Sequence, residues 1–209
     1  MNNTVHQEKN KTWIKIKHMK KAFGAEVLFE DFNLEVYENE ILVLMGPSGA
    51  GKSTLLNVIG QLEPYDGGEM LYHPALFEGI SVPLPFVFQE FDTLLPWKTV
   101  EGNIRLVAKG LTEAALNEVL ETVALSEHRH KKPGALSGGM KQRVGIARAL
   151  VCHSKILLMD EPFGSLDREM RLKMQDFLLE LQRRTGLTII LVTHDPEEAQ
   201  RLATRIIRL

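Results

Sequence analysis

The sequence predicts an α/β fold with a mainly parallel core sheet, an N-terminal antiparallel β subdomain and an inserted helical subdomain. Three observations lead there. Ile41–Met45, Ile156–Met159 and Leu187–Val192 are continuous apolar runs, the pattern of central strands covered on both faces. Near the N-terminus, by contrast, apolar and polar residues alternate, which marks half-buried strands most easily paired antiparallel. From residue 90 to 135 the strand pattern gives way to helical spacing.

Taken in order, residues 1 to 12 are polar and expected to fray. Trp13, Ile14 and Ile16 then alternate with Lys15 and Lys17, and Phe32, Leu34 and Val36 alternate with Asn33, Glu35 and Tyr37. The run 41–45 leads through a glycine-rich turn into a helix-like stretch, Leu55 to Ile59. Pro83 and Pro85 make 73–85 a loop before a short strand at Phe86–Phe88. Leu116, Val119, Leu120 and Val123 recur at helical spacing after a cap at Thr112. Met170, Met174, Phe177, Leu178 and Leu181 do the same before a stop at Gly186, and this Met-rich face reads as core. The last helix opens on Asp195 as cap and Pro196 at the first helical position, with Glu198 expected to reach back and complete a capping box. His194 then falls between a strand end and a helix start, at the edge where α/β sheets bind ligands. His128 and His130 flank Arg129 in a charged loop and read as solvated.

The turn after residue 45 carries the chemistry. Gly46, Pro47, Ser48, Gly49, Ala50, Gly51, Lys52, Ser53 and Thr54 spell a full G-x-x-x-x-G-K-S pattern between strand and helix. Glycines leave the backbone N–H groups free to wrap a phosphate chain, and the helix dipole points its positive end at the same anion. Lys52 adds a point charge for the outer phosphates, and Ser53 offers a hydroxyl to Mg²⁺. The fold is accordingly a P-loop NTPase, with a nucleotide-binding core over 13–89 and 145–209 and a helical subdomain over 90–144. Asp160 ends an apolar strand, where a carboxylate orients Mg²⁺ in phosphate-loop proteins. Glu161, one residue on, is placed to polarise the water that attacks the γ-phosphate.

A second anion site follows from Leu136 to Arg143, LSGGMKQR. Ser137 caps a helix whose first N–H groups, with Gly138 and Gly139 permitting close approach, form another cradle. One nucleotide does not need two. The economical arrangement has this site serve the nucleotide of another copy, with ATP at the seam of a head-to-tail pair.

The ordered set of the phosphate loop, Gln89, LSGGMKQR, LLMDEP (157–162), Ser165-Leu166-Asp167 and His194 resembles the ATP-binding cassette of ABC transporters over nearly the whole chain. The resemblance implies that Phe23 stacks on adenine, although an aromatic there can also be core. It implies that Gln89 senses Mg²⁺ and water while touching a membrane partner, that Asp167 crosses the dimer interface and that His194 holds the γ-phosphate. Phe88-Gln89-Glu90, Leu94-Leu95-Pro96-Trp97, Thr99-Val100 and DEPFGSLD (160–167) are similar to the subgroup that powers import of nitrate, sulfonates and taurine. The Leu94–Trp97 cluster can dock a coupling helix or pack inside the helical subdomain, and the two readings coexist. The stretch between Gln89 and Ser137 is shorter than is usual in that family. Many relatives continue beyond the position of Leu209, so a C-terminal regulatory domain is not expected.

Composition bounds the alternatives. A length of 209 residues suits one domain, and a formal net charge of −2 gives no basic field for nucleic acid or an anionic membrane surface. Cys152 is the single cysteine, so no intramolecular disulfide forms and a reducing compartment is expected. With no long apolar run, neither a signal peptide nor a membrane span is expected. The expectation is a cytoplasmic protein, peripheral on the inner face of the cell membrane, working with ATP and Mg²⁺. Its partners would be a second copy of itself, transmembrane permease subunits and a separate solute-binding protein, without nucleic acid. The alternative is a soluble or division-type ATPase switch of the same family that moves no solute.

Overall fold

The computed structural model describes residues 11–80, 82–88 and 93–209. β1 (Thr12–Phe23) and β2 (Glu26–Tyr37) form an antiparallel hairpin in which Ile14 faces Val36 and Ile16 faces Leu34. The alternation seen in the sequence puts Ile14, Ile16, Leu34 and Val36 inside. After β3 (Ile41–Met45) and α1 (Lys52–Ile59), the chain returns as β4 (Gly67–Tyr72), which pairs antiparallel with β1 on the side away from β2. β4 was not foreseen. It opens on Gly67-Gly68 and buries none of its residues fully, so it lacks the apolar signature of a strand.

The second sheet has five described strands in the order β5 (Phe86–Phe88), β6 (Ile156–Asp160), β7 (Thr188–Thr193), β3 and β8 (Arg205–Arg208), and every neighbouring pair is parallel. The continuous apolar runs are its central strands, as expected. β8 is an edge strand of four half-exposed residues, too short to be read from sequence.

Helices cover both faces. The strands alternate between two separate cores: Ile41, Val43, Leu157, Met159, Ile189 and Leu191 face one, and Leu42, Leu44, Ile156, Leu158, Ile190 and Val192 face the other. The second core is closed by Leu55, Leu56 and Ile59 of α1 and by the antiparallel sheet. The first is closed by α2 (Val100–Arg105), α3 (Glu113–Thr122), α4 (Gly138–Leu150), α5 (Arg168–Thr185) and α6 (Pro196–Leu202).

Local chemistry sets the helix ends. Thr112 accepts from Ala115 N–H at 3.2 Å to start α3, and Gly186, at φ +65°, ends α5 with its N–H on the Gln182 carbonyl at 2.8 Å. Met174, Leu178 and Leu181 of α5 are core, as their spacing predicts. Arg129 does more than decorate a loop: it pairs with Glu101 at 2.8 Å and Glu113 at 2.7 Å, tying α2 to α3. His130 beside it is exposed, but the Nδ1 of His128 is enclosed rather than solvated.

The start of α6 differs from expectation. Asp195 caps it, accepting from Glu197 N–H at 2.8 Å and Glu198 N–H at 3.3 Å. Glu198 does not reach back to the cap's N–H. Its carboxylate accepts instead from the Thr193 hydroxyl at 2.7 Å, and the Asp195 N–H goes to Thr193 Oγ1 at 3.0 Å. Thr193 ends a buried strand and supplies a closer partner, which pulls Glu198 inward until it is only 5% exposed.

Candidate functional site

The site lies at the C-terminal edge of the parallel sheet, where β3, β6 and β7 deliver their next residues to one side. Beyond β3 the chain turns through Gly49 (φ +85°) and Gly51 (φ +84°) into α1. Both glycines use a backbone region that side chains strongly disfavour. At Gly51 packing adds a second reason, since a Cβ would fall 2.9 Å from Phe29 Cζ. Lys52 is 6% exposed, and its ammonium donates to the carbonyls of Gly46 at 2.9 Å and Pro47 at 2.8 Å. The loop thus holds its own cation at its centre.

Ser53, in the first turn of α1, donates its hydroxyl to Asp160 Oδ1 at 3.1 Å, so the end of β6 meets the phosphate loop. Burial pushes the Asp160 carboxyl above its ordinary range, with Glu161 adding to the rise; the Ser53 hydrogen bond and nearby Lys52 oppose it. Glu161 follows at φ +43°, an unusual conformation for a residue with a side chain. Its N–H donates to Val192 O at 3.0 Å, and its Oε1 lies 3.1 Å from Nδ1 of His194. The chain just beyond two strand ends is thereby joined through these two side chains.

Phe23 ends β1 at the turn through Gly24 and is 50% exposed, so it is not a core aromatic. Lys21 sits 4.4 Å over the Phe23 ring and is itself clamped by Glu63 Oε1 at 2.7 Å and Pro64 O at 2.8 Å. The cation is only 4% exposed and braces the ring from one side.

Ser137 caps α4, accepting from Met140 N–H at 3.3 Å, and is exposed; Gly138 is half-buried beside it. Gly139 has a packing duty that the sequence did not reveal. A Cβ there would meet Met170 Sδ at 2.6 Å and Met174 Cγ at 3.4 Å, so the glycine lets α4 lie close to α5. Further along α4, Gln142 is buried and its amide donates to Pro162 O at 2.5 Å, linking this helix to the chain just after Glu161. Asp167 caps α5, accepting from Met170 N–H at 2.9 Å, and stays exposed.

Gln89 lies outside the described residues. The register of β5 nonetheless sets Phe88 opposite Asp160, so the strand that precedes Gln89 ends beside the site. In the 94–97 cluster, Leu94 is buried whereas Trp97 is 68% exposed: the cluster packs through its first member and presents its last. A cavity between β5 and α4 adjoins it, lined by Phe88, Leu94, Lys141 and Arg148 among others.

Reasoning from sequence missed Arg171, Thr193 and Lys21. Arg171 lies on the polar side of α5, Thr193 ends an apolar run, and Lys21 follows several other lysines; no local pattern distinguishes them.

Comparison with known proteins identifies the family. Residues 29–164 match the family model described as ABC transporter. The chain is 44% identical over 189 residues to the aliphatic sulfonates import ATP-binding protein SsuB 2 of Pseudomonas syringae pv. tomato, covering 90% of this chain and 78% of that protein. It is 41% identical over 205 residues to the taurine import ATP-binding protein TauB of Shigella boydii serotype 4, covering 94% and 79%. Among solved structures, cbiO1 from Clostridium perfringens, part of the ABC transporter complex cbiONQ, superposes with a TM-score of 0.84 over 95% of this chain and 85% of that one. At 24% identity this last likeness bears on the fold alone.

Proposed function

The chain belongs to the ABC transporter family, and from that premise we propose that it is the ATP-hydrolysing subunit of an importer for a small solute. The observation that carries this reading is the convergence of Lys52, the Ser53–Asp160 pair and the Glu161–His194 pair on one sheet edge. Backbone N–H groups of 46–54 and Lys52 bind the triphosphate, and Phe23, braced by Lys21, stacks on adenine. Ser53 and Asp160 present a hydroxyl and a carboxylate oxygen 3.1 Å apart, hard donors of the kind Mg²⁺ takes, so these residues fit the ion; Gln89 is the third group assigned to it. When bound, Mg²⁺ would supply positive charge against the phosphates.

Glu161 accepts the proton of the attacking water, and His194, within hydrogen-bond reach of Glu161, holds the γ-phosphate. Two copies pair head to tail. Each supplies Ser137, Gly138 and Gly139 to the nucleotide held on residues 46–54 of the other, with Asp167 at the seam. ATP favours the closed pair because only that pair completes both sites.

Among the described residues no helix is long and apolar enough to cross a membrane, so translocation falls to permease subunits. Exposed Trp97 and the adjoining cavity at Phe88, Lys141 and Arg148 support docking of a permease helix there. The chain works in the cytoplasm on the inner face of the membrane, and a separate binding protein delivers the solute. Relatives named for import of aliphatic sulfonates and taurine support a cargo of that kind, although no residue named here touches it.

The test is replacement of Ser137 by glutamate, which sets a carboxylate against the partner's triphosphate. Phosphate release is expected to collapse while one-chain nucleotide binding persists. Full turnover in that variant overturns the shared-site reading.

A further inference from the structure

Arg171 stands one helical turn into α5, between two loops that the proposed mechanism uses and that are remote from each other in sequence. Toward the first loop, Nη2 donates to the carbonyl of Leu166 at 3.4 Å, immediately before Asp167. Toward the second, Nη1 lies 3.4 Å from Asp195 Oδ2, and Nε lies 3.6 Å from Glu198 Oε1. Through Glu198 the cation reaches both neighbours of His194: Thr193 Oγ1 donates to Glu198 Oε2 at 2.7 Å and accepts from Asp195 N–H at 3.0 Å, so the hydroxyl that meets this carboxylate also holds the backbone N–H just after the imidazole.

The lengths matter. All three contacts exceed the roughly 2.7–2.9 Å of a tight charge-assisted bond, and Arg171 Nε has no hydrogen-bond partner although it is buried. The guanidinium therefore sits between its carboxylates and the Leu166 carbonyl with reach left on either side. Burial pushes the Glu198 carboxyl up and Arg171 opposes the rise, so the cation and this carboxylate feel each other through a poorly solvated space.

We infer that Arg171 is a positioning residue that couples the 165–167 loop to the His194 loop, setting the imidazole according to where Asp167 lies. This rests on the reading of His194 as the γ-phosphate contact and of Asp167 as a seam residue. When the partner copy draws Asp167 toward it, the Leu166 carbonyl moves with it. Arg171 passes that displacement through Asp195 and Glu198 to the two residues that hold His194. Dimer closure and readiness for hydrolysis are thus joined within one chain, by a side chain to which the mechanism assigns no contact with the nucleotide or the attacking water.

The test is a mutant cycle on the purified full-length chain, following single-turnover phosphate release and the KM for ATP. Arg171→Ala is expected to lower kcat about tenfold or more while KM stays within about twofold, and Arg171→Lys to recover part of the loss. Arg171→Ala also leaves Glu198 buried without its cation, so Arg171→Ala/Glu198→Gln, with a neutral pocket, is measured beside it. The double variant is expected to melt near the wild-type temperature and remain slow. In a His194→Ala background, Arg171→Ala is expected to change the residual rate less than about twofold, because the two act in series.

Wild-type kcat in Arg171→Ala, or a slow rate in the single variant that the neutral double variant restores, overturns the coupling. So does an Arg171 penalty that persists undiminished without His194 while His194→Ala is itself slow. A His194→Ala variant with wild-type turnover overturns instead the reading of His194 on which the coupling depends, and the coupling with it.

Discussion

Ser53 donates its hydroxyl to Asp160 across 3.1 Å, joining the first turn of α1 to the end of β6. The bond stitches the phosphate loop to the next strand but one, in a pocket where Asp160 is held protonated more readily than an ordinary carboxylate. A group proposed to serve the metal ion is here a cost to the fold.

That cost is measurable. The folded-state pKa of Asp160 is raised above its ordinary 3.8, so as pH rises the unfolded chain loses its proton first. Stability then falls with rising pH between the unfolded and folded pKa values. Asp160→Asn is expected to raise Tm at neutral pH, with the gain shrinking as pH drops toward 3.8. Phosphate release by the same variant is expected to be lost. Calorimetry at several pH values checks the first and a phosphate assay the second.

Lys52→Ala removes the cation at the centre of the loop. Charge-assisted hydrogen bonds contribute about 1.5–3 kcal/mol each, so nucleotide affinity should fall about tenfold to a hundredfold, as read by equilibrium titration. Wild-type affinity would contradict the phosphate-loop assignment.

Glu161→Gln keeps the shape of the site and removes the carboxylate proposed as base. Turnover is expected to drop by about 10²–10⁴, with ATP binding retained and an ATP-dependent dimer accumulating on size exclusion. If the variant hydrolyses ATP normally, Glu161 has no part in the proton transfer.

Phe23→Ala tests the adenine platform. Base–aromatic stacking contributes about 1–3 kcal/mol, so KM for ATP should rise about fivefold or more with kcat little changed. An unaltered KM would reduce Phe23 to a surface aromatic.

Away from the site, Gly60→Ala should destabilise the chain by about 1–3 kcal/mol through overpacking. The new Cβ would lie 2.2 Å from Phe86 Cε2 and 2.9 Å from Leu158 Cδ1. Denaturant titration checks this, and a neutral result would mean that the Phe86 ring swings aside freely.

Much of this molecule was legible in its residues, for identifiable reasons. β3, β6 and β7 are buried on both faces, so their apolar runs are unbroken, and Thr112, Ser137, Asp195 and Gly186 act locally as their positions predict. The phosphate loop was readable because its glycines answer a backbone demand. β4 and β8 were not readable, since edge strands with exposed residues carry little pattern. Glu198 was misread because the capping-box pattern weighs only the N–H of the cap, whereas Thr193, two residues before the cap, offers a competing hydroxyl. Arg171 and the packing of Gly139 escaped for another reason: their contacts exist only once α5 lies beside α4 and α6.

The five-stranded sheet separates two packed interiors that share strands but no side chains. It behaves as a bulkhead. A void opened at Leu158 would be felt by α1 and the hairpin, and one opened at Met159 by α4 and α5, so neighbouring positions on one strand report to opposite halves of the molecule. The strand backbones are common to both sides, and two of them, β6 and β7, end in Asp160 and Thr193.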